Sequence, residues 1–278
     1  MCAALLLAGR AAASELVRDR VVSVLLGRDI PLSIYLPDGY TQAGGKMPAI
    51  YLLHGAGGGE GDWTAYGRVH DMLDGMVRRG RIPPTVVVMP GSGPTSWWVD
   101  GAAEKMATAL LTEVIPHVEG KYKVGTERAQ RAVGGFSMGG YGALNLSLAH
   151  PDKFCAAALI SPAIYEVSPP PTSAALASPQ FRRNGGFDAG LWRELNWPAR
   201  LADYRARGIV VPRWIASGDH DALGIALESA KLYWQLFQIQ KQAVELRIVD
   251  GDHDWTVFGE ALHPAVQYLD RQCALGRR

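Results

Sequence analysis

Residues 131–149 read RAVGGFSMGGYGALNLSLA, from Arg131 to Ala149. The first six, Arg131 to Phe136, form a short apolar run of strand length, and beyond Gly139-Gly140 the text up to Ala149 has helical character. Ser137 thus falls at a strand-to-helix turn, inside the pentapeptide Gly135-Phe136-Ser137-Met138-Gly139. With 13 Ser and 32 Gly in 278 residues, about 0.17 strings of the form G-x-S-x-G are expected by chance, so the string alone is weak and its setting decides. The setting has a physical purpose. Flanking glycines remove Cβ atoms where the backbone bends sharply, which exposes the hydroxyl at a helix N-terminus whose N–H groups favour developing negative charge. The bland alternative is a Gly-rich turn with a capping serine.

Outward from this turn the chain alternates strands and helices. Pro48 to Leu53, Thr85 to Met89, Phe154 to Ile160, Val210 to Ala216 and Val244 to Val249 are further apolar runs of the kind that both faces of a parallel sheet bury. Helical patterns lie between them at Val69 to Val77, Glu104 to Val118, Tyr141 to Ala149, Leu227 to Ile239 and Ala261 to Leu269. An antiparallel edge is expected from Arg20 to Leu26 and Ile30 to Leu36, joined at Gly27-Arg28-Asp29. The pattern predicts an α/β fold with a mostly parallel central sheet and helices on both faces. Residues 161–208, with Pro169-Pro170-Pro171 and Asn184-Gly185-Gly186, lack a clear strand and read as a cap inserted over the carboxyl edge of the sheet. Residues 1–19 read as a leader or a disordered N-terminus, and residues 20–278 as one domain.

A serine nucleophile needs a base, and the base an orienting carboxylate. The runs at 210–216 and 244–249 lead into Ser217-Gly218-Asp219-His220-Asp221 and Asp250-Gly251-Asp252-His253-Asp254-Trp255, on the sheet edge where Ser137 also emerges. His253 is the expected base, being the one histidine placed just after the last predicted strand. Asp219 and Asp221 are both within reach as the acid, and spacing does not separate them. An oxyanion would take the Met138 N–H and that of Ala56, in the glycine-rich loop after Pro48 to Leu53. Two other readings compete. That loop could cradle a phosphate, but no G-x-x-x-x-G-K-[ST] follows it; the Asp-His-Asp clusters at 219–221 and 252–254 could hold a metal, which leaves the turn at Ser137 unexplained. No cofactor is expected. The loop and cap tryptophans, Trp63, Trp97, Trp98, Trp192 and Trp197, suit either an acyl or aromatic pocket or the packing of the cap; Trp63, Trp98 and Trp255 are the substrate-binding candidates.

Composition excludes several classes. Apolar residues make up 48% and charged residues 20%, and 28 basic against 27 acidic side chains leave a formal charge of +1. That composition buries a core, and it offers no field for nucleic acid. No apolar run approaches the ~20 residues that span a bilayer. Cys2, Cys155 and Cys273 are too scattered for a zinc module or a disulfide framework, which leaves the compartment open: secreted or periplasmic with a leader, cytoplasmic without one. Partners reduce to a small molecule, with homo-oligomerisation left open.

Five ordered motifs carry a family resemblance: Leu52-Leu53-His54-Gly55 with Trp63, Ser96-Trp97-Trp98-Val99-Asp100, Gly135 to Gly140, Gly218-Asp219-His220-Asp221 and Gly251 to Trp255. From about Arg20 to Cys273 the chain resembles the α/β-hydrolase superfamily. Within it the likeness is to the esterase group of esterase D (S-formylglutathione hydrolase), feruloyl esterases, tributyrin esterases and antigen 85 mycolyltransferases. The resemblance implies an α/β-hydrolase fold and a serine esterase with the triad Ser137, Asp221 and His253 and oxyanion donors at Ala56 and Met138. It leaves open acyl transfer to an alcohol, and a binding module that has lost catalysis. The cysteine-bearing oxyanion loop of many S-formylglutathione hydrolases is absent, and nothing selects a sugar acceptor.

Overall fold

The computed structural model describes residues 13–41, 45–241 and 243–273. In chain order the strands are β1 (Glu15–Ser23), β2 (Arg28–Leu36), β3 (Ala49–Leu53), β4 (Val86–Pro90), β5 (Arg131–Phe136), β6 (Ala157–Ile160), β7 (Arg182–Arg183), β8 (Gly186–Phe187), β9 (Arg213–Gly218) and β10 (Val244–Val249). The helices are α1 (Asp62–Ala65), α2 (Val69–Arg78), α3 (Met106–Ala109), α4 (Ile115–Lys121), α5 (Met138–Ala149), α6 (Ala189–Leu195), α7 (Leu201–Arg207), α8 (Ile225–Gln240) and α9 (Trp255–Cys273). Eight strands form one sheet in the order β1-β2-β4-β3-β5-β6-β9-β10. It is antiparallel where β2 meets β1 and β4, and parallel from β4 to β10. This is the α/β-hydrolase fold, and its sheet carries a core on each face. Leu73, Met76, Leu262 and Val266 pack on one side, Leu110, Val114, Leu144 and Leu232 on the other.

Parallel strands end at the same edge, so β3, β5, β9 and β10 release their loops together. Every residue of β3, β4, β5 and β9 is buried, as strands covered on both faces must be. α5 is mostly apolar and buried along its length, with its polar Asn145 and Ser147 hydrogen-bonded inside, and the small residues Gly139, Gly140, Gly142 and Ala143 let it lie close to the sheet. The predicted helix at 104–118 is a continuous run from α3 to α4 that widens to a π-helical turn at Leu110–Val114. The wide turn ends just before Pro116, which has no N–H to continue a regular ladder.

Three expectations change. β1 begins at Glu15 and closes on β2 through residues 24–27, so the hairpin turn comes earlier than predicted. Apolar Val24 and Leu25 drew the pattern too far; both are exposed, and the Glu113 carboxylate accepts both their N–H groups at 3.0 Å. Residues 15–19, assigned to a leader or disordered end, are therefore paired in the sheet, and residues 1–12 lie outside the described residues. Within 161–208 a small hairpin pairs β7 with β8, though nothing there joins the main sheet. Third, Cys155 and Cys273 form a disulfide with 5.2 Å between their Cα atoms, joining the start of β6 to the end of α9. Isolated cysteines 118 residues apart carry no spacing signal; the fold brings them together. No helix among the described residues is long and apolar enough to cross a membrane.

Candidate active site

Ser137 is held at φ 52°, ψ −119°, a left-handed region that L-residues seldom occupy. The turn is fixed from both sides. Its N–H donates to Ile160 O of β6 (2.9 Å), and its C=O accepts from Tyr141 N (3.0 Å) and Ala163 N (3.1 Å). The glycines have a concrete reason here: a Cβ on Gly135 would lie 2.5 Å from Gly139 O, and one on Gly139 would lie 2.2 Å from Leu53 O. No larger residue lets β3, β5 and α5 cross this closely. The Ser137 hydroxyl is left at the mouth of a cleft of ≈ 460 Å³.

Two further loops converge on it. The loops after β9 and β10 meet at their glycines, where a Cβ on Gly218 would touch Gly251 O at 2.2 Å. Asp254 then caps α9, its Oδ1 accepting from Thr256 N at 2.9 Å, which stops the loop one residue beyond His253. The His253 ring lies edge-on to Phe258 on α9, with the centroids 5.0 Å apart. Its Nδ1 donates to Asp221 Oδ2 at 2.7 Å, and its Nε2 accepts from Ser137 Oγ at 2.9 Å. The Asp221 carboxylate has no exposed surface, and its second oxygen accepts from Leu223 N at 2.9 Å.

Asp219 points elsewhere: its Oδ1 accepts from Gly251 N at 3.1 Å and lies 3.3 Å from His220 Nδ1. The clusters read as an alternative metal site are thereby split. Asp221 and His253 turn inward to Ser137, while Asp219, His220 and Asp250 gather on the exposed outside of the loops. The structure brings together Ser137, Asp221 and His253, and it separates Asp219 from them.

Across the cleft, the loop after β3 is pinned by His54. The ring is buried, donates from Nδ1 to Gly55 O (2.8 Å) and accepts at Nε2 from Ser92 N (3.1 Å). Burial outweighs the neighbouring Gly55 carbonyl and holds this imidazole below its ordinary pKa, which keeps it neutral. The amides of Gly57 and Gly58 are used within the loop region, by Pro94 O and Gly55 O, whereas among the described residues the Ala56 N–H has no acceptor. Met138, the first residue of α5, has no intrahelical acceptor for its own N–H. Ala56 and Ser137 both line the cleft.

The tryptophans divide. Trp255 lines the cleft together with Tyr66, Phe136 and Phe258, whose rings all pack against its own. Trp63 and Trp98, expected to touch substrate, are fully buried. Trp63 stands behind the wall, edge-on to Phe136 and Trp255 at 5.0 and 5.6 Å. Trp98 sits on Gly142 of α5 and donates from Nε1 to His54 O at 3.1 Å. Both supply support in place of contact. Trp97 and Trp192 clamp the cap to α5, around Tyr141 and Phe181. The cap residues do not line the cleft around Ser137. Tyr66, Phe258 and Asp62, which the sequence reading passed over, do line it; Tyr66 and Phe258 each stand three residues after a recognised tryptophan, one helical turn on.

Residues 23–269 match the model of the family described as "Putative esterase". Among curated relatives, an "Endo-1,4-beta-xylanase/feruloyl esterase" of Xylanibacter ruminicola is 32% identical over 142 residues, 48% of this chain and 19% of that protein. The MPT51 antigen of Mycobacterium leprae is 34% identical over 192 residues, 66% of this chain and 57% of that protein. The chain thus spans less than two thirds of the length of either. Among solved structures, a ferulic acid esterase superposes with a TM-score of 0.79 at 26% identity, covering 93% of this chain and 98% of the other. The Staphylococcus aureus fluorophosphonate-binding serine hydrolase F gives a TM-score of 0.73 at 18% identity over 93% of this chain and 99% of the other, a likeness of fold.

Proposed function

The chain belongs to the esterase family matched over residues 23–269, and from that premise we propose that it is a serine carboxylesterase acting through a covalent acyl-enzyme. The observation that carries this reading is the pair of hydrogen bonds from Asp221 through His253 to Ser137, at 2.7 and 2.9 Å. Ser137 Oγ attacks the ester carbonyl carbon while His253 Nε2 takes the hydroxyl proton, and Asp221 holds the ring and offsets the imidazolium charge. The carbonyl oxygen becomes an oxyanion held by the unengaged N–H of Ala56 and by that of Met138 at the N-terminus of α5. When the tetrahedral species collapses, the carbon–oxygen bond to the alcohol breaks and His253 returns its proton to the leaving oxygen. Water repeats the sequence on the acyl-enzyme, with His253 as base, and releases the acid. These steps use only the chain's own groups.

The aromatic wall of Tyr66, Phe136, Trp255 and Phe258 supports aryl acyl groups such as feruloyl as substrates. The buried Cys155–Cys273 disulfide supports residence in an oxidising compartment. The test is Ser137→Ala measured beside the parent chain on p-nitrophenyl acetate and methyl ferulate. Turnover should fall by about 10³-fold or more with the circular dichroism spectrum unchanged, and a fluorophosphonate should label the parent at Ser137 alone. A variant with near-full activity would overturn the mechanism; equal kcat/KM for the aryl and alkyl acyl groups would overturn the aryl preference.

A further inference from the structure

We propose that two copies of this chain associate about a two-fold axis by antiparallel pairing of β10 with its own copy. β10 ends the sheet, and among the described residues nothing pairs with its outer edge. The ladder to β9 decides which of its groups are free. Arg213 N–H donates to Ala243 O and Asp219 N–H donates to Val249 O, each at 2.9 Å, so the odd-numbered residues of this stretch face β9. In a parallel ladder alternate residues bond to a given neighbour, which leaves the N–H and C=O of Val244, Leu246 and Ile248 pointing outward.

Those three residues match themselves. A two-fold axis through Leu246 sets Leu246 against Leu246 and Val244 against Ile248, so every outward N–H meets an outward C=O. The same register sets Glu245 opposite Arg247, twice by symmetry, on the face of the sheet that α9 covers. Centring the axis on Glu245 or on Arg247 instead would oppose like charges. Opposite charges across a strand pair stabilise it and like charges destabilise it, so the sequence Val-Glu-Leu-Arg-Ile selects one register of its own dimer.

The surface beside this edge agrees. Ile248 and Val249 at the end of β10 and Leu227 and Trp234 on α8 are exposed at 44, 38, 63 and 60%. One flank of α8, through Glu228 and Gln235, is bonded to Glu166 within the fold. On the other, Tyr233 and Trp234 both stack on Phe237, at 6.0 and 6.1 Å, and a second copy paired at β10 would cover that flank. The opposite edge of the sheet is guarded. β1 carries Arg18, Asp19 and Arg20, with Asp19 tied to His117 and Tyr122 and Arg18 to Glu60.

Sedimentation velocity on the full chain, from about 1 to 100 µM at low salt, tests this pairing. The parent should be dimeric. Arg247→Glu turns two attractive contacts into two repulsive ones and should weaken association by about tenfold or more, and the double reversal Glu245→Arg/Arg247→Glu should restore it. Ile248→Lys, at an exposed site, should also separate the copies, and esterase assay with circular dichroism confirms that each variant is folded. A parent that is monomeric throughout, a dimer indifferent to Arg247→Glu, or a double reversal as weak as the single would each overturn the proposal.

Discussion

Asp219 and Asp221 stand two residues apart on one loop, and the backbone between them sends their side chains in different directions. Asp221 is sealed under His253, where a carboxylate can fix the ring tautomer, while Asp219 braces the Gly251 amide at the surface. Asp221→Asn should lower kcat by about 10³–10⁴-fold, and Asp219→Asn by less than tenfold, on p-nitrophenyl acetate. The reverse order would assign the orienting role to Asp219. Residue types pointed to Ser137 and His253, which the fold brings within 2.9 Å of each other, because few positions offer a hydroxyl or an imidazole at the end of a strand. They did not separate two identical carboxylates, a choice made by loop geometry. Nor did they place Trp63 and Trp98. A large ring on a predicted loop reads the same whether it faces substrate or stands one layer behind, and only packing decides, Trp98 on Gly142 and Trp63 on Phe136 and Trp255.

At the level of elements, the site depends on how closely α5 crosses the ends of β3 and β5. Gly139→Ala sets a methyl group 2.2 Å from Leu53 O and 2.8 Å from His54 O, both main-chain atoms that cannot swing aside. The cost should be about 1–3 kcal/mol in urea unfolding. Because those carbonyls border the Ala56 loop, kcat should fall further than the lost stability alone explains. The alternation of strands and helices was legible because buried parallel strands are short continuous apolar runs and the helices between them, the buried α5 apart, are amphipathic. Ends were less so. α9 extends six residues before the predicted Ala261, because its start is set by the Asp254 cap and its first turn mixes exposed Thr256 with buried Val257 and Phe258.

For the whole molecule, the Cys155–Cys273 bond ties the last helix to the middle of the sheet. Cys155→Ala/Cys273→Ala should lose about 2–4 kcal/mol in urea unfolding without dithiothreitol, and the parent measured with dithiothreitol should approach the double variant. An unchanged midpoint in both comparisons would show the bond to be idle. The cap and the hairpin β7–β8 also belong to this scale. Their sequence signals are turns and prolines, which say where the chain leaves the sheet and leave open where it returns.

The same bond has a topological effect. It closes a ring that contains Asp221 and His253 and leaves Ser137 on the arm outside it. A protease that cut anywhere in the cap would open that ring without freeing either piece. The product would be a two-chain molecule, fastened at one cystine, with the imidazole on one chain and the hydroxyl on the other.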